Sequence, residues 1–434
     1  MDALTKKYTF FNLNENQKLY LDTINLPNIN KNTYIEDSRK LKDFKIQTFG
    51  GYAKNQVSSS LDKALFDGKI EQSVQFGFQL FFSGYVNLIW DKLFSFCAKN
   101  ININNPLLPE LLYQRLIKWK TITDNSKFNK DCILLLRNHP EIRNMLVELL
   151  VLCCISKKRK LDSGKKIKKT DFIIDNFKKN LESPNTNLID KICKRGDPSE
   201  MKIAVNEFGY HIFKGNINKV IFWLNWILEW DKSNTKKYGK YECASRVIDG
   251  VESKYFTNVV WLIWDMVNLV KNIRLKNHDI GYTHKVNNQI SHLWKLFIYK
   301  YSNSQKSRRM CYLLWSINYL INFIDWKIPL IDRPHILFQS LLNHDKLIQN
   351  MKIQQVNNDL FNSKLMNIAV NNNYMIPEKH KDYEKDKIKK IEQNKKKEMI
   401  KIQKEREKEA KKKKVDLDTL DKINAFNNIN GQIF

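Results

Sequence analysis

The sequence predicts an all-α protein, and three observations support this fold class. The 434 residues include only 13 Gly and 9 Pro, which are too few for the many tight turns of a β-protein. Apolar residues make up 42% of the chain and recur mostly at helical spacing. Similar tryptophan-containing segments also recur along the chain. Together these observations predict two lobes of stacked helix pairs, followed by an extended, charged C-terminal helix.

The tryptophans have a spacing that is typical of one helix face. Trp223, Trp226 and Trp230 lie at positions i, i+3 and i+7, and Trp261 and Trp264 repeat the first part of this spacing. We expect this face to pack in the core, because large rings beside Leu and Ile are usually buried. The alternative is an exposed surface on which nucleobases stack.

Two parts of the chain, 60–100 and 188–232, resemble diverged copies of one three-helix unit. In each copy a glycine lies between two aromatic residues, and a second glycine precedes a tryptophan-containing helix. A glycine that directly follows a helix, as we expect for the second glycine of each copy, commonly ends that helix. The glycines are Gly77 and Gly84 in the first copy, and Gly209 and Gly215 in the second.

Composition divides the chain into five segments. They are a polar N-terminal segment (1–55), a first helical lobe (56–155), a basic linker (156–170), a second, tryptophan-rich lobe (171–375) and a charged tail (376–434). In the first lobe, apolar periodicity predicts helices over 70–82, 86–99 and 140–155.

Polar residues predict where several helices begin. The serines at 58–60 are expected to cap a helix that starts there. Asp197, which Pro198 follows, is expected to cap a helix of the second lobe. The polar stretch 272–288 is expected to be a loop that precedes a helix over 290–301.

The formal net charge is +28, from 74 Lys and Arg against 46 Asp and Glu. Such an excess predicts a polyanionic partner, with nucleic acid ahead of an anionic membrane surface. The alternative explanation is compositional. The chain is rich in Lys, Asn and Ile, and an AT-rich genome produces this bias without selection for binding.

Three clusters of basic residues are candidate phosphate-binding sites. The first is the basic linker, which also has the form of a nuclear import signal. The second lies at the start of a predicted helix, where positive charge opposes the helix dipole, and this cost hints at a function. The third lies in the charged tail. The candidates are Lys157, Lys158, Arg159, Lys160, Lys165, Lys166, Lys168, Lys169, Arg308, Arg309, Lys411, Lys412, Lys413 and Lys414.

No motif in the sequence predicts catalysis, a cofactor or a metal ion. His278, His284 and His292 lack the spacing of a metal site. The 7 cysteines form no Cys-x-x-Cys pair, so we expect reduced thiols in an intracellular protein. The apolar runs are too short to cross a bilayer, and the first residues lack the apolar core of a signal peptide. We expect a location in a nucleus, a viral factory or a virion, and no membrane association.

One stretch of the first lobe resembles a known family. Its segments are Lys63-Ala64-Leu65-Phe66-Asp67-Gly68-Lys69-Ile70-Glu71, Gln79-Leu80-Phe81-Phe82-Ser83-Gly84-Tyr85 and Ile89-Trp90-Asp91-Lys92-Leu93. Over 60–106 this pattern resembles the helical C-terminal region of clamp-loader-related AAA+ ATPases of the MgsA/RarA type. Their nucleotide-binding motif, Gly-x-x-x-x-Gly-Lys-Ser/Thr, does not occur in the sequence. The resemblance implies a helical module for protein–protein contact or oligomerisation, without nucleotide hydrolysis.

The Lys, Asn and Ile bias of the whole chain also resembles that of proteins from large DNA viruses of algae and protists. The sequence therefore supports two hypotheses. The first is a non-catalytic scaffold that binds nucleic acid and a protein partner, as a viral replication or transcription accessory or a virion protein. The second is a structural or assembly protein whose charge reflects genome composition. An enzyme would instead need a pocket with converging Asp, Glu and His.

Overall fold

The computed structural model describes residues 32–123, 130–162 and 164–360. Regular structure in these ranges is helical and includes no β-strand, apart from one isolated bridge between Gln47 and Ala53. The prediction of an all-α fold is therefore confirmed. The charged tail (376–434), with the predicted extended helix, lies outside the described residues.

The first lobe contains five α-helices. They are α1 (Lys54–Phe66), α2 (Ile70–Phe82), α3 (Val86–Asn100), α4 (Leu108–Thr123) and α5 (Pro140–Ile155), with 3-10 turns at Leu41–Phe44, Asn102–Asn104 and Lys130–Asn138. Helices α1, α2 and α3 each pack against α5. Almost every residue of α5 is buried, because neighbouring helices cover it on several sides. Its low polarity in the sequence reflects this position.

From residue 164 to residue 360 the structure describes seven α-helices. They are α6 (Ile174–Lys179), α7 (Ser199–Lys214), α8 (Ile217–Tyr238), α9 (Val259–Leu275), α10 (Ile280–Ile298), α11 (Lys306–Ile321) and α12 (Pro334–Leu360), with 3-10 turns at Lys169–Phe172, Ile189–Lys191, Ser253–Tyr255 and Asn303–Gln305. Helix α7 packs against both α8 and α9. Helix α10 packs against α11 and, across the two lobes, against α4.

Helix α11 is the central element of the fold. Every residue from Arg309 to Leu320 is buried. The helix contacts α3 of the first lobe as well as α7, α9 and α10 of the second. The chain up to Asn358 belongs to one compact unit. The boundaries at 155 and 170 remain predictions about domains.

The tryptophans lie in the core, as predicted. Trp223 and Trp261 are 0% exposed, and Trp226 and Trp264 are at most 2% exposed. The Trp226 indole donates a hydrogen bond of 3.0 Å to the Asp171 carbonyl. This contact fastens the end of the basic linker to α8.

A helix, a glycine and a tryptophan-containing helix lie at both positions of the predicted repeat. In α2 a Cβ atom on Gly77 would lie 2.6 Å from the Leu150 side chain, and in α7 one on Gly209 would lie 2.3 Å from the sulfur of Met266. Both glycines therefore allow a close approach between helices. The glycines after these helices, Gly84 and Gly215, both have positive φ. The three-helix repeat was wrong in its first helix, because the second copy has only the short turn Ile189–Lys191 there.

Two predicted helix caps were wrong. Helix α1 begins at Lys54, so the serines at 58–60 lie inside it. The Asp197 carboxylate contacts the Lys194 and Ala244 amides and pairs with the Arg246 guanidinium at 2.8 Å. This pair is buried. Asp197 therefore pairs with an arginine that is distant in the sequence, and it does not cap the helix that follows it.

The predicted loop at 272–288 was also largely wrong. Helix α9 extends to Leu275 and α10 begins at Ile280. The Asp279 carboxylate accepts a hydrogen bond of 2.8 Å from the Tyr282 amide and caps α10. The first turns of α10 are mostly exposed. Their polar composition is therefore that of a solvated helix and not that of a loop.

Candidate functional site

A cleft of about 760 Å³ lies between α1, α3, the basic linker and the start of α11, and we call it the first cleft. Helices α1 and α3 each contribute side chains at helical spacing. The lining residues are Ser59, Asp62, Lys63, Phe66 and Asp67 from α1, and Leu88, Asp91, Lys92, Ser95, Phe96, Lys99 and Asn100 from α3. Lys160, Gln305, Arg308, Arg309 and Tyr312 complete the wall.

Basic side chains outnumber acidic ones in this lining. One acidic residue, Asp62, is already paired, because its carboxylate lies 2.5 Å from the Lys92 ammonium and joins α1 to α3. Four basic residues of the lining are exposed and make no salt bridge within the described part of the chain. They are Lys63, Lys99, Lys160 and Arg308. The cleft therefore has uncommitted positive charge.

Arg309, in the same wall, is buried and bonded to a neighbouring helix. It is 8% exposed, and its guanidinium donates a hydrogen bond of 2.7 Å to the Phe297 carbonyl of α10. Burial lowers the pKa of Arg309. Partial burial also raises the pKa of Asp91, whereas the charges of Arg309 and Arg308 oppose this rise. Arg309 thus fixes α11 against α10 and adds positive potential to the cleft.

The uncharged part of the first cleft includes three aromatic side chains. Tyr312 and Phe96 are each 6% exposed and form part of the wall. Phe66 is 48% exposed, although it belongs to the apolar stripe of α1. A half-exposed ring beside cations can contact the face of a planar, anionic ligand.

The backbone of the basic linker explains how Lys160 reaches the cleft. The Arg159 amide donates to the Asn100 carbonyl, and the Leu161 amide donates to the Lys99 carbonyl, both at 2.6 Å. These carbonyls lie at the end of α3, where a helix leaves acceptors without partners. The linker is thus held against α3 on both sides of Lys160.

The structure brings three of the predicted phosphate-binding residues together. Lys160, Arg308 and Arg309 line the first cleft although they come from distant parts of the sequence. Lys157 is exposed and does not line the first cleft, and the guanidinium of Arg159 donates to the Asn322 side chain at 3.0 Å.

Lys158 has a different environment. Its ammonium donates hydrogen bonds to the Cys153, Cys154 and Ser156 carbonyls. Burial lowers its pKa. The side chain therefore closes the end of α5, and its donors are used within the protein.

Four other predicted residues of the basic linker do not line the first cleft. Lys165, Lys166, Lys168 and Lys169 are exposed along the linker as it passes α8. Lys411, Lys412, Lys413 and Lys414 lie outside the described residues.

Sequence reasoning missed Lys63, Lys92 and Lys99. A signal for them exists in the charged stripes of α1 and α3. Asp62 and Lys63 are followed by Asp67 at helical spacing, and Lys92 is followed by Lys99 two turns later. The two stripes meet at the first cleft, where the salt bridge between Lys92 and Asp62 joins them.

Within residues 32–123, 130–162 and 164–360, no group of three or more His, Cys, Asp and Glu could hold a metal ion. The helices of these ranges also include none with the length and apolar character of a membrane span. Comparisons with protein-family models, curated proteins and solved structures gave no match.

Proposed function

We propose that the protein is a non-catalytic helical scaffold that binds the phosphate backbone of nucleic acid in the first cleft. The convergence of Lys63, Lys99, Lys160 and Arg308 carries this proposal. Like charges in one concave site repel each other unless an anion joins them. Phosphates are suited to this role, because Lys and Arg donate charge-assisted hydrogen bonds to their oxygens.

Genome composition is a weaker explanation for this cleft. A compositional bias adds lysine wherever solvent tolerates it. It gives no reason for lysines of α1, α3 and the basic linker to meet an arginine of α11 in a single cleft. The geometry therefore favours selection for an anionic ligand over the structural or assembly alternative.

Binding of a protein partner through the helices is the second part of the proposal. Phe338 and Leu342 are each 63% exposed and lie one turn apart on α12. Such an exposed apolar pair can contribute to a protein interface.

The test measures the affinity of labelled DNA and RNA for the full-length protein as a function of salt concentration. Each phosphate contact contributes to the slope of log affinity against log salt. We expect Arg308→Glu and Lys99→Glu each to weaken binding and to lower the slope by about 1. Lys346→Glu is the matched control, because Lys346 is exposed, lies in α12 and does not line the first cleft.

A full-length variant with Lys411→Gln, Lys412→Gln, Lys413→Gln and Lys414→Gln measures the contribution of the tail. If only this variant loses affinity, phosphates bind the tail and the cleft proposal is wrong. Equal effects of Arg308→Glu and Lys346→Glu would also contradict it. Negligible binding near physiological salt would favour the structural or assembly function.

A further inference from the structure

A second cleft, of about 560 Å³, lies on the other side of the start of α11. The end of α8 and the segment after it form one wall, with Lys232, Lys236 and Lys240. Lys254 and Tyr255 lie in another part of the wall, and Lys306 of α11 completes it. Five lysines and two carboxylates, Asp231 and Glu242, thus line this second cleft.

The two clefts share one short piece of chain, 303–309. Gln305, Arg308 and Arg309 line the first cleft. Asn303, Lys306 and Ser307 line the second. Residues that alternate in this way lie on different sides of one helical turn, so the barrier between the clefts is about as wide as a helix, roughly 10–12 Å.

Four of the five lysines of the second cleft form salt bridges. Lys306 lies 2.6 Å from the largely buried Asp231 carboxylate. The other three pairs are at the surface, where a salt bridge contributes little and a phosphate can replace the carboxylate; they are Lys232 with Glu229, Lys240 with Glu242 and Lys254 with Glu252. Lys236 is exposed and makes no salt bridge in the described ranges.

We infer that both clefts together bind one single strand of nucleic acid, which crosses the start of α11 between them. This inference rests on the proposed function and adds the class of nucleic acid. A duplex is stiff, with a persistence length of about 150 base pairs, so bending it into two concave sites on either side of one helix is costly. A single strand bends freely at each nucleotide and can enter both.

The lining also fits unpaired bases. Phe66 in the first cleft is half-exposed, and Tyr241 and Tyr255 in the second are partly exposed. Bases of a single strand can stack on such rings, whereas paired bases are covered by their neighbours. Asp67 and Asp91 repel phosphates but accept hydrogen bonds from base amino groups. A site for duplex backbone alone would gain nothing from these carboxylates.

The experiment uses full-length protein and fluorescein-labelled DNA strands of about 4 to about 16 nucleotides, with duplexes of the same lengths. We expect single strands to bind about tenfold more tightly than duplexes, because one stacked base is enough for this difference. Affinity should rise with length until the strand occupies both clefts.

Lys236→Glu tests the second cleft, and Lys346→Glu is its control with the same charge change on an exposed helix position. On the longest strand, Lys236→Glu should lower the salt slope by about 0.7 or more, and the control should leave it unchanged. For the shortest strand, Lys236→Glu should change the salt slope less, because that strand fits into one cleft.

Tighter binding of duplexes would overturn this inference. Equal slopes for Lys236→Glu and the control on the longest strand would overturn it as well. If Arg308→Glu still weakened binding in either case, the proposed function would stand without the second cleft. If no nucleic acid bound, both proposals would fail together.

Discussion

The Lys158 ammonium donates hydrogen bonds to three carbonyl oxygens near the end of α5. A helix leaves its last carbonyls without internal partners, and a lysine that follows the helix can satisfy them. The Asn104 side chain, 53 residues before Lys157 in the sequence, donates to the Lys157 and Lys158 carbonyls and holds the chain in place. The same run of basic residues therefore contains one structural cation beside exposed ones.

Replacing Lys158 should destabilise the fold. We expect Lys158→Met to lower the free energy of unfolding by about 1–2 kcal/mol, because buried carbonyls lose their donor. Urea denaturation followed by circular dichroism measures this change. Lys157→Met, at the exposed neighbouring position, should change the same quantity by less than about 0.5 kcal/mol. An equal loss in both variants would show that the contacts of Lys158 add no stability.

Cysteine reactivity also depends on burial. Burial raises the pKa of Cys154 and Cys243 to about 12 and that of Cys311 to about 11. Cys193 is only partly buried. The thiolate is the reactive form, so a raised pKa leaves little of it near neutral pH.

We therefore expect iodoacetamide at about pH 8 to modify Cys193 before Cys154, Cys243 and Cys311 in the native protein. Cys154, Cys243 and Cys311 should react slowly, and their rates should rise on unfolding because both exposure and thiolate population increase. Mass spectrometry of peptides after timed quenching measures each rate. Rapid modification of Cys154 in the folded protein would contradict this expectation.

Helix α7 approaches α9 closely at Gly209. The position of the Met266 sulfur leaves no room for a Cβ atom on this glycine. A glycine inside a helix costs helix propensity, and the close approach of the two helices gives a reason for its presence. The same argument applies to Gly77, which faces Leu150 of α5.

Gly209→Ala should therefore lower the free energy of unfolding, by about 1–3 kcal/mol, despite the better helix propensity of alanine. The cost should shrink when Gly209→Ala is introduced into a Met266→Ala background, since the shorter side chain leaves space. A double-mutant cycle by urea denaturation measures this coupling. Additive effects would mean that the two residues do not compete for space.

The surfaces of α1 and α3 explain how the first cleft forms. Helices α1 and α3 each have an apolar face toward the core and a charged stripe beside it. The salt bridge between Lys92 and Asp62 joins the two stripes. The remaining cations of these helices then face Arg308 of α11 and Lys160 of the basic linker across the cleft.

Helix α11 connects the two lobes of the molecule. It is buried along most of its length and contacts helices of both lobes. The Tyr319 hydroxyl donates 2.7 Å to the Pro106 carbonyl, and the Asn105 amide donates 2.9 Å to the Leu330 carbonyl. These buried or partly buried contacts connect parts of the chain that are far apart in sequence.

The chain from 32 to 358 should therefore unfold as one cooperative unit. Hydrogen exchange measured by mass spectrometry in the full-length protein should give similar opening free energies for peptides of α2 and of α8. A variant that weakens α11, such as Ile317→Ala, should lower both by similar amounts, about 2–5 kcal/mol. A decrease confined to one lobe would show that the lobes unfold independently.

The sequence determined the fold class, most helices of the first lobe and the burial of the tryptophans. These features depend on local periodicity, which a single helix face expresses in its own residues. The start of α10 was missed because an exposed helix has little apolar periodicity, although its cap, Asp279, was visible. The role of Asp197 was missed because its partner, Arg246, is distant in the sequence.

Only the tertiary structure decided which basic residues lie together. Lysines of α1, α3 and the basic linker meet Arg308 because α11 packs against α3, and no local pattern encodes that contact. Lys158 and Lys160 differ in burial. The Lys158 ammonium is partly buried and donates to carbonyls, whereas Lys160 is exposed and its charge remains available. Charge alone was visible in the sequence, whereas the surroundings of each charge depend on helices that are far apart along the chain.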